Sequence, residues 1–118
     1  MQLIDYRRDN QLALIGLSHA PVNALGHGLR QALLQACSQA AADPEVQAII
    51  LHGQQLPFSA GADISEFGSP LTWEAPALGD LLDALTRIDK PVIAAIDGVA
   101  LGGGLELALA CSHRLATA

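Results

Sequence analysis

Aromatic side chains are scarce in this 118-residue chain, at 3% against a hydrophobic content of 51%. Tyr6, Phe58, Phe67 and Trp73 are isolated, so the core must come from Leu, Ile, Val and Ala, side chains that suit helices packed on a sheet. Cysteine is also thin. Cys37 and Cys111 each lie in an apolar stretch of helical pattern, with no CxxC and no histidine at ligand spacing, which argues against a disulfide framework or a zinc site. Two reduced, buried thiols fit a cytoplasmic protein. Positive charge is in short supply, six basic residues against twelve acidic for a formal net charge of -6, and only Arg7 and Arg8 are adjacent. A phosphate-backbone footprint is therefore missing, and nucleic acid is not an expected partner. No apolar run reaches the about 18 residues of a membrane span, and the opening MQLIDYRRDN lacks a signal-peptide core, so an unexported protein off the membrane is expected. The length suits one domain that buries its core without metals or disulfides.

What is present alternates between strand and helix patterns. Residues 2–7 and 11–17 read as two short strands around a polar turn at Arg8, Asp9 and Asn10. Residues 18–23 read as a loop in which Pro21 keeps Ala20 extended and Asn23 suits a helix cap. From 29 to 41, Leu29, Leu33, Cys37 and Ala40 recur at helical intervals, and Asp43-Pro44 stops the helix. Residues 46–51 form a short apolar run expected to be a buried strand. Leu78, Leu81, Leu82, Leu85 and Ile88 make a second helical stripe, and residues 92–96 after Pro91 make another buried strand. A helical run over 105–111 and a strand-like fragment over 113–116 close the chain. The pattern predicts an α/β fold, one domain over 1–118, without repeats or linkers.

Two loops follow predicted buried strands and are rich in small residues: 58–64 (FSAGADI) and 101–106 (LGGGLE). Backbone N–H groups in such loops can point at a ligand oxygen, more strongly at a helix start, where the helix dipole is positive. Together they could form an oxyanion hole. Three glycines alone are more simply a turn or a close helix-to-sheet contact. A P-loop is not supported, since no Lys-Ser/Thr ending follows, and no GxGxxG with a downstream ribose-binding acid occurs. Ser59 lacks the GxSxG elbow and reads as a loop residue. His19, His27, His52 and His113 have no mutual spacing for a metal or a triad. Glu106 lies one helical turn past Gly103 amid Leu105, Leu107, Ala108 and Leu109, where an unpaired charge would be costly.

The ordered segments PVNAL at 21–25, FSAGADI at 58–64 and KPVIAAIDGVALGGGLELALAC at 90–111 resemble the crotonase (enoyl-CoA hydratase/isomerase) superfamily. Within it the likeness is greatest to the hydratase part of peroxisomal-type bifunctional hydratase/dehydrogenases, and it runs through nearly the whole chain. The resemblance implies a crotonase-like (ClpP/crotonase) spiral of strand-strand-helix units, of which this chain would be the N-terminal part. It also implies that the N–H groups of Ala62 and Gly103 bind the thioester carbonyl oxygen of an acyl-CoA, with Glu106 as catalytic acid/base. By the same resemblance, Ala60, Asp63, Ile64, Ser65 and Gly102 line the acyl-CoA groove, and Asn23, Ala24 and Leu25 lie near the nucleotide part of coenzyme A. A helix cap or turn acid is an equal alternative for Asp63. One departure is Ser112, where many relatives carry Asp, which weakens any ion pair with Arg114.

The resemblance implies hydration of 2-trans-enoyl-CoA in fatty-acid β-oxidation, with no separate cofactor because coenzyme A belongs to the substrate. The family's second catalytic glutamate maps beyond position 118, and Glu45, Glu66 and Glu74 do not match its motif. The 118 residues alone are therefore expected to be inactive. An isomerase, another crotonase-fold acyl-CoA enzyme and a noncatalytic acyl-CoA-binding module remain alternatives. A fused dehydrogenase, and self-association through exposed apolar surface, are further expectations.

Overall fold

The structure is a computed structural model, and it describes residues 2–117. It opens with a hairpin of β1 (Ile4–Asp9) and β2 (Leu12–Leu17), followed by α1 (His27–Ala42) and β3 (Ala48–Gly53). After two short 3₁₀ turns, Ile64–Glu66 and Pro70–Thr72, come α2 (Leu78–Thr86), β4 (Val92–Ile96), α3 (Gly103–Ala110) and β5 (His113–Ala116). The five strands form one sheet in the order β1-β2-β3-β4-β5. Only the β1–β2 pair is antiparallel. Because the strand order follows the chain order, crossovers of one hand put all three helices on one face, and α2 packs against both α1 and α3.

That face is the core. Ala13, Ile15, Leu17, Ile49, Leu51 and Ala94 point into it and are fully buried. From α1 the stripe of Leu29, Leu33, Cys37 and Ala40 meets them, as the helical spacing predicts, and Phe58 is the one aromatic residue buried there. On the opposite sheet face, Leu14, Ile50 and Ile93 line up across β2, β3 and β4 and are half-buried.

Several boundaries differ from the sequence pattern. The first turn is Asn10-Gln11, not Arg8 to Asn10, because Asn10 adopts a φ of 54°, a left-handed conformation that asparagine tolerates well. Asn23 does not cap α1. The helix starts at His27 after Gly26, and its first free amide, His27 N–H, donates to the Glu66 carboxylate at 3.1 and 3.2 Å. A distant acid thus does the work expected of a local side chain. β3 starts two residues later than the apolar run, since Val46 is buried ahead of it. Ser112 bonds both backbone groups of Val92, while Arg114 donates to Ala108 O and Cys111 O at the end of α3, a cap and not an ion pair.

Both cysteines are free and buried, as their apolar settings predict. Burial pushes the Cys37 thiol up to about 12 and the Cys111 thiol up to about 11. The unfolded thiols ionise nearer pH 8.5, so above that pH the native state holds protons that the unfolded state has released. The two thiols should leave stability unaffected below pH 8 and should lower it as pH rises toward 11 to 12. Urea unfolding of the wild type and of Cys37→Ala at pH 7.5 and pH 10 checks this: the wild type should lose more stability between the two pH values than the variant.

Candidate active site

The two glycine-containing loops leave the C-terminal ends of β3 and β4, the end of an open α/β sheet at which ligands bind. They are zipped together by main-chain bonds. Phe58 N–H donates to Asp97 O (3.1 Å), Ser59 N–H to Val99 O (3.1 Å) and Leu101 N–H to Ser59 O (3.1 Å), so Ser59 and Ala100 pair as a parallel bridge beyond the sheet. The zipper explains the glycine at 104. A Cβ there would lie 2.3 Å from Ser59 O, so only glycine lets α3 abut this loop. A Cβ at Gly61 would lie 2.9 Å from Leu101 O, and Gly61 has a φ of 108°.

A third loop, residues 18–26, packs under the first. Ala60 N–H donates to Val22 O (2.9 Å), and Leu25 N–H donates to Gly61 O (2.7 Å). Asn23 is fully buried with a φ of 53°, accepts from His19 N–H (2.7 Å) and donates to Pro57 O (2.9 Å). The hydroxyl of Ser59, also fully buried, donates to Asn23 O (2.8 Å) and accepts from Gly61 N–H (3.2 Å). The segment leading into Ala62 is therefore held from several sides.

The Ala62 and Gly103 amides stand apart from these bonds. Among the described residues neither N–H meets an acceptor. They are also neighbours, since a Cβ built on Gly103 would lie 3.9 Å from Ala62 N. The Gly61–Ala62 peptide is trans, so its C=O and N–H point in opposite directions. With Gly61 O held by Leu25 N–H, Ala62 N–H points away from that bond. Gly103 is the first residue of α3, where an N–H has no intrahelical acceptor and sits at the positive end of the helix. Leu25, Arg30, Ala62, Glu66, Phe67 and Leu78 are among the residues bounding a cavity of about 90 Å³ at Ala62. A larger depression of about 630 Å³ near Arg8, Gln11, Glu45 and Gln47 lies at the opposite end of the sheet and contains no such pair.

The family described as Enoyl-CoA hydratase/isomerase matches residues 7–118. The chain belongs to this family. It is 50% identical over 105 residues to the peroxisomal bifunctional enzyme of Danio rerio, which covers 89% of this chain and 14% of that protein. It is 40% identical to the "Probable enoyl-CoA hydratase" of Bacillus subtilis (strain 168), covering 98% of this chain and 47% of that protein. The crystal structure of an enoyl-CoA hydratase/carnithine racemase from Magnetospirillum magneticum superposes with a TM-score of 0.85 at 34% identity, covering 98% of this chain and 46% of that one. The chain spans about half the length of its single-function relatives and about a seventh of the bifunctional enzyme. The crotonase-like fold expected from the three motifs is therefore the observed one.

The remaining residues singled out in the sequence divide. Asp63 accepts from Ser65 N–H (3.0 Å) and Ser65 Oγ (2.6 Å), so it caps the turn Ile64–Glu66. Ile64 is 76% exposed, and Ser65 is exposed beside it. Ala60 is half-buried, and Ala24 O accepts from the His19 ring (2.8 Å) and from Gly26 N–H. Gly102, with a φ of 52°, turns the chain into α3. Glu106 follows on the first turn of α3, its N–H bonded to Gly102 O (3.0 Å). The apolar enclosure expected for its carboxylate is absent: Glu106 is exposed, and Leu105 and Leu109 are 45% and 59% exposed. The helix turns Gly104, Leu107 and Ala108 to the core, which leaves positions 105, 106 and 109 outward.

Asn23 and Leu25 were legible only through the resemblance, as neighbours of the nucleotide part of coenzyme A, and Arg30 was not legible as a site residue. The one available signal was Arg30, a charge inside the apolar stripe of α1. Replacing Asn23 removes two buried hydrogen bonds and a residue that tolerates positive φ, so Asn23→Ala should lose about 2 to 4 kcal/mol of stability in denaturant unfolding.

Proposed function

We propose that a protein containing this chain hydrates 2-trans-enoyl-CoA thioesters, with Ala62 and Gly103 N–H as the oxyanion hole. The observation that carries this reading is the pair of adjoining amides without acceptors at the strand ends. When water adds across the conjugated double bond, its oxygen bonds to C3 and the π electrons move onto the thioester oxygen. A proton then reaches C2 and the enolate collapses. The two fixed N–H groups meet the charge that develops on that oxygen, and one such donor is typically worth about 3 kcal/mol of barrier.

Glu106 is proposed as the base that activates the water, since it stands one turn from Gly103 on the same helix. Ala24, Ala60, Asp63, Ile64, Ser65 and Gly102 are proposed acyl-CoA contacts, through their backbones where side chains are engaged or absent. No cofactor is proposed beyond the coenzyme A of the substrate. A fused dehydrogenase is a proposal that rests on the bifunctional relatives. The buried thiols favour a cytoplasmic setting, although the Danio rerio relative is named peroxisomal. Among the described residues no helix is long and apolar enough to cross a membrane. Self-association is proposed from the exposed apolar surface, where Trp73 is 82% and Leu115 66% exposed.

The test is loss of the conjugated-thioester absorbance of crotonyl-CoA with the full-length protein. Gly103→Val places methyl groups where the oxygen would bind and should lower turnover about a hundredfold or more. Gly79→Ala, on α2 with open space around the new Cβ, should leave it unchanged. Glu106→Gln should lower kcat by about 10² to 10⁴ while the protein stays folded. Wild-type turnover by Gly103→Val would overturn the oxyanion-hole assignment.

A further inference from the structure

Among the described residues Arg30 is the only charged one that is buried, at 4% exposure, and it stands on α1 away from solvent. Its guanidinium uses every nitrogen. Nε donates to Pro76 O (2.8 Å), Nη1 to Leu25 O (2.9 Å), and Nη2 to Leu71 O (2.8 Å) and Glu74 O (3.4 Å). A Glu66 carboxylate oxygen stands 3.9 Å from Nη1. Three of those carbonyls belong to residues 71–76, which run from the 3₁₀ turn Pro70–Thr72 into the irregular stretch before α2. The fourth belongs to Leu25, whose N–H holds Gly61 O.

These contacts join into one line of restraint. Arg30 fixes the carbonyl of Leu25, Leu25 N–H fixes the Gly61–Ala62 peptide, and Ala62 lines the cavity that Arg30 itself helps bound. We propose that Arg30 is a positioning residue for the thioester-oxygen site, setting the direction of the Ala62 N–H through Leu25 while its other donors hold residues 71–76 over the cavity. It does not touch the reacting atoms. A fork of donors aimed at separate carbonyls requires arginine, because a lysine ammonium is a compact point charge that cannot span them.

This inference rests on the hydratase reading, and the experiment separates the two. Full-length wild type, Arg30→Met and Arg30→Lys are compared for kcat and KM with crotonyl-CoA, for the infrared carbonyl stretch of the bound thioester, and for folding by circular dichroism. A misaimed donor lowers transition-state stabilisation more than ground-state binding. The expected result is a kcat about tenfold or more lower in folded Arg30→Met, a KM within about threefold, and a carbonyl stretch moved back toward that of free crotonyl-CoA, with Arg30→Lys between it and wild type. If Arg30→Met does not fold, Arg30→Lys alone should show the smaller kcat loss with the matching carbonyl shift. Folded variants that keep both wild-type kcat and wild-type carbonyl stretch overturn the role of Arg30, as does a kcat loss that merely follows the unfolded fraction. A wild type without turnover and without a lowered carbonyl stretch overturns the hydratase reading, and the role of Arg30 with it.

Discussion

The bond from Leu25 N–H to Gly61 O is the restraint on which the site depends. An isolated loop amide would bond to water or to a nearby carbonyl and could not be held in readiness for a ligand. Here the carbonyl half of the peptide is fixed at 2.7 Å by one loop, and the neighbouring Gly61 N–H is taken by Ser59. The Ala62 N–H is left without an acceptor while the other half of its own peptide is committed elsewhere. Preorganisation of this kind lets a backbone donor stabilise charge without first reorganising.

The rest of the fold serves that restraint. The β3 and β4 strands are buried and in register, so their C-terminal loops emerge side by side and pair through Ser59 and Ala100. Gly104 removes the Cβ that would push α3 away from Ser59, and this brings the free amide of Gly103 next to Ala62. Asn23 and Arg30 act from below, one through the loop 18–26 and one through the carbonyl of Leu25. Buried polar groups with all partners satisfied are costly to disturb, which suits them to fixing geometry.

Much of this was legible in the chain itself. The stripes of α1 and α2 and the apolar strands at 48–53 and 92–96 follow from hydrophobic period, a local property that burial on one helix-covered face enforces. Asn23 was misread because a polar residue before an apolar stripe looks like a cap, whereas its side chain reaches Pro57, 34 residues away. Glu66 looked unremarkable and yet closes the first turn of α1 from a distant loop. Glu106 was expected among leucines in a buried setting, but adjacency along a helix does not give a shared face, and the core takes only positions 104, 107 and 108.

The sequence by itself determined the α/β class, the helix and strand periods, the family, and the two loops whose small residues expose their backbones. Each of these depends on residue type at short range. Only the tertiary structure decided that the two loops pair, that Ala62 and Gly103 N–H are left without partners side by side, and that Arg30 is buried as a fork of donors. Those facts arise from contacts between segments tens of residues apart, whose partners no local pattern specifies.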